Sequence, residues 1–414
     1  MPFDHATDFP TRLSVDEARQ RVVELCAQRR VRVDSVPLDR ALGRVLAVDV
    51  VAPQPIPPFA NSAMDGYALR GADLPRDGEK RFRLRGVMLA GATEALDVGE
   101  GECVRITTGA PVPRGADTVV VKENVRVDGD AIVVPGGERA GANVRPAGED
   151  LDEGEIAAHA GEILSAARLG VLASCGETQA RVSRRPRVAL FVTGDELVPP
   201  GEPLGFGRIH DSNRFSIGGL LEGIGIVPEP VAHVRDDRAT LRETLLAAAA
   251  ACDVVITSGG VSAGEADHLP GLVEEIGRIH FWKVRMKPGM PILCGEIGKA
   301  LVFALPGNPV SSLATFLTLV QPGLLAMQGA DASPRRWRAQ LAAPIRKKHD
   351  RTEFFRARLD SAADGRLVAT TLEQQGSGML RGVAEANGLI VVPEDVHELA
   401  IGDVVDVVPL PGLC

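Results

Sequence analysis

At 414 residues the chain is too long for one hydrophobic core, and its length predicts roughly two to four domains. Hydrophobic content of 45% with charged content of 24% is that of ordinary folded domains and excludes long disorder. A net charge of -9 counts against nucleic acid as the main partner, so an anionic ligand must find a local basic pocket.

Met1 to Pro10 carries Asp4 and Asp8 in place of a basic stretch before an apolar run, so no secretory leader is expected. The most apolar helical candidate, Pro309 to Val320, is interrupted by Ser311, Ser312 and Thr315, and nothing approaches the roughly 20 apolar residues of a membrane span. We expect a cytoplasmic protein with no membrane partner. Cys26, Cys103, Cys175, Cys252, Cys294 and Cys414 lie far apart, without metal-ligand spacing, and read as reduced and structural.

Ser14 and Glu17 form a capping-box pattern ahead of Val15, Ala18, Val22, Val23 and Leu25, which predicts an amphipathic helix over Ser14 to Cys26. Pro53 to Pro58 is a stiff connector and a boundary. From there to about Val144, dense turns and the alternation of Val119, Val121, Val125 and Val127 up to Asp128-Gly129 predict a small β domain. Between Arg187 and Gln328, strands at Val188–Val192, Val231–Val234, Val254–Ile256 and Leu301–Ala304 alternate with helices such as Arg238–Ala250 and Ser311–Val320, the rhythm of a parallel α/β sheet. After Pro334 short β-type runs resume, with an Asp364-Gly365 turn and a closing Val404–Val408 strand.

Ligands of open parallel sheets bind beyond the carboxyl ends of the strands. Three such ends carry Thr193-Gly194-Asp195-Glu196-Leu197, Ser258-Gly259-Gly260-Val261-Ser262 and Pro306-Gly307-Asn308-Pro309-Val310-Ser311. Glycine allows close approach and can form a nest of N–H groups for phosphate, while Glu196 and Asp267 are hard oxygen ligands of the kind Mg²⁺ takes. Taken singly each loop also describes a tight turn with a capped helix; three on one edge point to a ligand. In Phe281 to Lys287 an extended strand would put Lys283, Arg285 and Lys287 on one face, opposite Trp282, Val284 and Met286, which is either a cationic site wall or a solvated face.

These motifs, with Asn61-Ser62-Ala63-Met64-Asp65-Gly66-Tyr67-Ala68, Thr107-Thr108-Gly109-Ala110-Pro111-Val112-Pro113 and Lys287-Pro288-Gly289, occur in one order, and the chain resembles the MoeA family of molybdopterin molybdenumtransferases, to which the C-terminal domain of gephyrin is related. The resemblance implies a multi-domain α/β plus β protein. A discontinuous helical and mixed N-terminal domain (1–52 and 144–185) would carry an inserted β domain (53–143). A central parallel α/β, molybdopterin-binding-like domain (186–328) and a C-terminal β-barrel-like domain (329–414) would follow. It further implies a homodimer whose cleft uses both subunits, and Mg²⁺-dependent insertion of molybdate into adenylylated molybdopterin with release of AMP. The cofactor would pass on to apo-molybdoenzymes, and the adenylyltransferase that supplies the substrate is a candidate partner.

Carried over residue by residue, the resemblance assigns Asp65, Thr108, Asp150, Glu196, Asp236 and Asp267 to the catalytic set, with Glu196 and Asp267 as metal ligands. Ser258, Gly259, Gly260, Ser262, Pro306, Gly307, Asn308 and Pro309 would bind substrate phosphate, and Lys283, Lys287, Arg356 and Ser377 molybdate. Asp65 also reads as a turn residue and Asp236 as a helix cap. Met290 stands where the family often has lysine. Two other readings remain open: molybdopterin adenylyltransferase activity, which would leave the flanking motifs superfluous, and a gephyrin-like scaffold role.

Overall fold

The computed structural model describes residues 9–230, 234–261 and 267–410, which fall into two compact units. One comprises Met1–Ala47, Ala160–Leu164 and Ala180–Cys414, the other Val48–His159 and Ser165–Gln179.

The larger unit opens with a helix at Val15–Ala27, started by the expected box: the Ser14 side chain accepts from Glu17 N while the Glu17 carboxylate takes Ser14 N. Its sheet runs in the order 11–13, 278–284, 293–297, 300–305, 254–258, 188–192, 229–230. Neighbouring strands from 300–305 through 229–230 are parallel, as expected, but Leu293–Ile297 runs against both neighbours. Its tight return through Gly298, at φ 60°, makes an antiparallel hairpin that the expectation of a wholly parallel sheet had missed. Of the Val231–Val234 strand, residues 231–233 lie outside the described residues, and Val234 bridges Thr193.

Period-two alternation builds two cores on the sheet. Val188, Leu190, Val254, Ile256, Leu301 and Phe303 face the helices Val15–Ala27, Asn213–Gly223 and the run from Pro309 to Gln328. Ala189, Phe191, Val255 and Val302 face Arg238–Ala251 and Leu269–Ile276. The apolar helix is longer than its serines suggested. It continues through a π-helical turn at Phe316–Val320 to Gln328, is 89% buried, and keeps its hydroxyls by returning Thr315 and Thr318 to carbonyls one turn back. It is a core helix of this unit.

Beyond it, strands 352–361, 367–371, 337–341, 404–409 and 388–392 close into a five-stranded barrel through the pairing of the first with the last. Ala357, Leu359, Ile390 and Val407 fill the barrel, while Phe354, Leu389 and Val391 turn outward into the core that the apolar helix occupies. A short helix at Leu380–Glu385 interrupts the short β-type runs expected after Pro334.

The smaller unit is a six-stranded sheet, ordered 118–121, 66–69, 102–106, 79–88, 131–135, 126–128, with the expected turn at Gly129. The alternation expected of Val119 and Val121 gives way at its centre, where Thr118, Val119 and Val120 are all buried. The reason is that both faces are covered: Tyr67, Phe82 and Val120 form one core, and Ala68, Val104 and Val119 another.

Candidate active site

Because strands 188–192, 254–258 and 300–305 are adjacent and parallel, their following loops meet at one edge. Thr193 N donates to Ser258 O at 3.0 Å, and Gly259 N to Leu305 O at 3.1 Å. Gly259 has φ 103°, and a Cβ there would stand 2.2 Å from Thr193 O, so only glycine lets the two loops close. Ser258 does not present its hydroxyl to a ligand. It is buried, donates to Pro306 O at 2.9 Å, and receives Asn213 Nδ2 at 2.8 Å. Any contribution from Ser258, Gly259 and Gly260 therefore comes from their backbone. Ser262 lies outside the described residues.

Glu196 is exposed and follows Gly194, whose φ of 151° leaves room for the Glu196 carboxylate to fold over the turn. Asp237, not Asp236, caps the helix Arg238–Ala251, accepting Thr240 N at 2.9 Å. Asp236 is thus released to the site, where it accepts Thr193 Oγ1 at 3.1 Å. Burial and the neighbouring Asp195 and Asp267 push its carboxyl up, against the opposing pull of Thr193 and His268. Asp267, at the edge of the described residues, is half-buried. Among the described residues no group of three or more His, Cys, Asp or Glu is placed to hold a metal ion.

The cationic stripe is not a stripe. Inside the strand Arg278–Val284 Lys283 takes φ 65°, breaking the regular extension that the pattern assumed, and after Val284, still paired with Leu13, the chain passes through Arg285 to pair with the barrel at Met286–Lys287. Each cation has its own neighbour: Lys283 Nζ lies 4.2 Å from the Trp282 ring centroid, Arg285 Nε donates to Glu394 at 2.8 Å, and Lys287 Nζ pairs with Glu353 at 2.8 Å. Met290, half-buried, supplies its carbonyl to Val284 N and Ile292 N, fixing the turn after Lys287.

The barrel brings Ser377 and the Pro306–Pro309 loop together, since Val310 N donates to Ser377 O at 3.1 Å. Arg356 is 1% exposed and donates from Nε to Gln374 O at 2.6 Å, while Nη1 and Nη2 have no hydrogen-bond partner among the described residues. Burial lowers its pKa. A buried cation without a carboxylate suits an anion.

In the smaller unit the two motif loops pack directly, with Gly109 N donating to Ser62 O. Asp65 Oδ1 takes both Thr108 N at 2.9 Å and Thr108 Oγ1 at 3.0 Å, with Lys122 Nζ 3.6 Å from Oδ2. The Thr108 N–H, then its hydroxyl and Lys122, hold the Asp65 carboxyl below its usual range. Asp150 is exposed in a turn that closes back on Ile56 O. Sequence reasoning missed Lys122, Asn213, Glu353 and Ser312. Only Asn213, in Asp211-Ser212-Asn213 ahead of an apolar run, had a signal, and it resembled an ordinary helix cap.

Three strand-end loops on an α/β domain that continues into a closed barrel are the architecture of a multi-domain α/β plus β protein, and the comparisons place it among the molybdopterin-binding ones. Residues 189–326 match "Probable molybdopterin binding domain", 13–176 match "MoeA N-terminal region (domain I and II)", and 338–410 match "MoeA C-terminal region (domain IV)". The chain is 33% identical over 407 residues to the molybdopterin molybdenumtransferase of Haemophilus influenzae, covering 97% of this chain and 99% of that one. It is 36% identical over 399 residues to molybdopterin molybdenumtransferase 2 of Mycobacterium tuberculosis, covering 94% and 97%. The crystal structure of the molybdopterin biosynthesis moeA protein of Pyrococcus horikoshii superposes with a TM-score of 0.83 at 29% identity, covering 96% and 100%. The chain belongs to the MoeA family, the molybdopterin molybdenumtransferases of molybdenum cofactor biosynthesis.

Proposed function

We propose that the chain inserts molybdenum from molybdate into adenylylated molybdopterin, releasing AMP, in a reaction that requires Mg²⁺. The observation that carries this reading is the meeting of three strand-end loops at one edge, where Asp236 accepts Thr193 Oγ1. Glu196 and Asp267 follow two of those strands and are hard oxygen ligands of the kind a divalent cation takes together with substrate phosphates. Glu196 and Asp267 would hold Mg²⁺, which would neutralise charge on the pyrophosphate from which AMP departs.

The remaining roles follow from the side chains. Backbone N–H groups of Gly260 and Ser262 and of Gly307 and Asn308 bind phosphate, with Ser258 and Gly259, whose N–H is already given to Leu305 O, and Pro306 and Pro309 fixing the shape of the loops. Arg356, Ser377, Lys283 and Lys287 bind molybdate, a tetrahedral dianion whose oxygens match cations and a hydroxyl. Asp65, kept ionised by Thr108, orients water or a proton near the reacting atoms, and Asp150 and Asp236 are further carboxylates of the set.

We also propose a cytoplasmic homodimer with the four domains 1–52 plus 144–185, 53–143, 186–328 and 329–414, which draws on its substrate-supplying adenylyltransferase and on apo-molybdoenzymes as partners. The reaction is tested by reconstitution: purified protein, adenylylated molybdopterin, molybdate and Mg²⁺, followed by AMP release and by activation of an apo-molybdoenzyme. Absence of AMP release sinks the reading, and formation of the adenylylated pterin from ATP would move the chain to the adenylyltransferases. For the dimer, mixing Asp65→Ala and Asp267→Ala subunits should restore activity that each parent lacks.

A further inference from the structure

The ladder between strands 254–258 and 300–305 ends at the pair Ser258 and Leu305. Past it the loop tips are held by side chains. Ser258 Oγ and Ser312 Oγ both donate to Pro306 O, and Asn213 Nδ2 donates to Gly307 O at 2.7 Å and to Ser258 Oγ at 2.8 Å. Gly307 O can only accept, so the Asn213 amide has one possible orientation. Its two N–H bonds are then both used, and Asn213 is 9% exposed. It is the side chain that grips both the Ser258-Gly259-Gly260 turn and the Pro306–Pro309 loop.

A trans peptide directs its C=O and its N–H to opposite sides. With the Pro306 and Gly307 carbonyls drawn inward, the N–H groups of Gly307 and Asn308 turn outward, on two residues that are themselves exposed. We infer that Asn213 is a positioning residue for the reaction: by holding Gly307 O it aims the Gly307 and Asn308 N–H groups at a phosphate of the nucleotide half of the substrate. The inference rests on the proposed release of AMP and names the phosphate as the group read by this loop. Asn213 touches no substrate. Without its grip on Gly307 O the second peptide is free to rotate, and the paired donors are lost.

The test measures AMP binding by calorimetry alongside AMP release, molybdate dependence and melting temperature. Asn213→Leu keeps the volume and removes both donors. Asn213→Asp keeps the shape and sets a carboxylate against Gly307 O. At about pH 8, where that carboxylate is charged, each should weaken AMP binding by about tenfold or more, the scale of one lost hydrogen bond to a charged ligand. The molybdate requirement should stay as in the wild type. On acidification the Asn213→Asp carboxyl regains a proton to donate to Gly307 O, so its AMP affinity should recover relative to wild type at the same pH, a response that a purely structural role would not produce. Wild-type affinity in either variant at alkaline pH overturns the inference. So does a loss that follows only the melting temperature and shows no recovery with acid. Wild-type protein that releases no AMP would instead overturn the proposed reaction, whereas active wild type with unimpaired variants removes only the role of Asn213.

Discussion

Thr108 gives both its backbone N–H and its hydroxyl to one oxygen of Asp65, at 2.9 and 3.0 Å, so a single residue fixes the direction and the ionisation of that carboxylate. Thr108→Val keeps the shape and the N–H but removes the hydroxyl. We expect AMP release to slow several-fold and melting to change little, because Asp65 is exposed. Asp65→Asn should cost more, since it removes the charge itself. Turnover of the Thr108→Val variant at the wild-type rate would make the pair no more than a turn.

Arg356 carries a buried charge at a cost to stability, with Nη1 and Nη2 lacking partners among the described residues. Arg356→Met has similar length without the charge. Replacing buried ionic groups by apolar ones of like volume is neutral or stabilising by about 1–4 kcal/mol, so the melting temperature should hold or rise while the molybdate requirement increases. Denaturant unfolding and molybdate titration check both halves. A variant that loses stability and keeps its molybdate response would reverse the argument.

Acid should destabilise the larger unit through two imidazoles. His280 and His349 stand 3.1 Å from Glu296 and Glu353 respectively, at ion-pair distance but without hydrogen-bond geometry. Burial, against the pull of those carboxylates, holds both below the ordinary value of 6.5. As pH falls, the unfolded chain takes the protons first, so their contribution is present above 6.5 and is lost as pH drops through the lower folded values. The double variant His280→Gln, His349→Gln should flatten the dependence of unfolding free energy on pH across that window. An unchanged slope would assign the acid sensitivity to other groups.

Glu196→Gln retains size and removes one hard anionic ligand, so AMP release should fall and recover in part at higher Mg²⁺. Titrating Mg²⁺ at saturating molybdate separates this from anion binding. If added Mg²⁺ rescues nothing while added molybdate does, Glu196 belongs to the anion site.

What the sequence showed and what it hid have different physical origins. Gly259 was legible because a positive φ and a backbone oxygen 2.2 Å from any Cβ leave no other residue type, so local chemistry carries the information. The helix at Val15–Ala27 was legible for the same reason, its box lying within four residues. Lys283 was misplaced because alternation assumes an unbroken strand, and nothing local announces a left-handed lysine. Asn213 and Glu353 were missed because their meaning lies in partners distant in sequence, Gly307 for one and Lys287 for the other. The closing of the barrel was likewise a matter of long-range pairing, between 352–361 and 388–392.

That long-range partner changes what is expected of the three cations. Lys287 Nζ lies 2.8 Å from Glu353, which is 7% exposed and sits directly across from Lys287 where Met286–Lys287 pairs with the barrel strand. An anion arriving at Lys287 must therefore share the ammonium with a carboxylate already there. Lys287→Met would leave Glu353 buried with the more distant Lys347 charge and with His349, a cation only when protonated, and should lower stability by about 1.5–3 kcal/mol, the range for hydrogen bonds to charged groups. Adding Glu353→Gln removes the stranded charge and should restore most of that stability without restoring molybdate use, a coupling that a double-mutant cycle reads directly. Lys283→Met breaks only a cation–π contact with Trp282, about 0.5–1 kcal/mol, so it should raise the molybdate requirement at nearly constant melting temperature. Arg285→Met, which gives up Glu394, should do the opposite. Melting temperature and molybdate dependence measured on these four proteins and on Glu353→Gln alone, which completes the cycle, separate these cases. A Lys287→Met protein as stable as wild type, or a double variant no more stable than Lys287→Met alone, would mean that Glu353 is not coupled to Lys287.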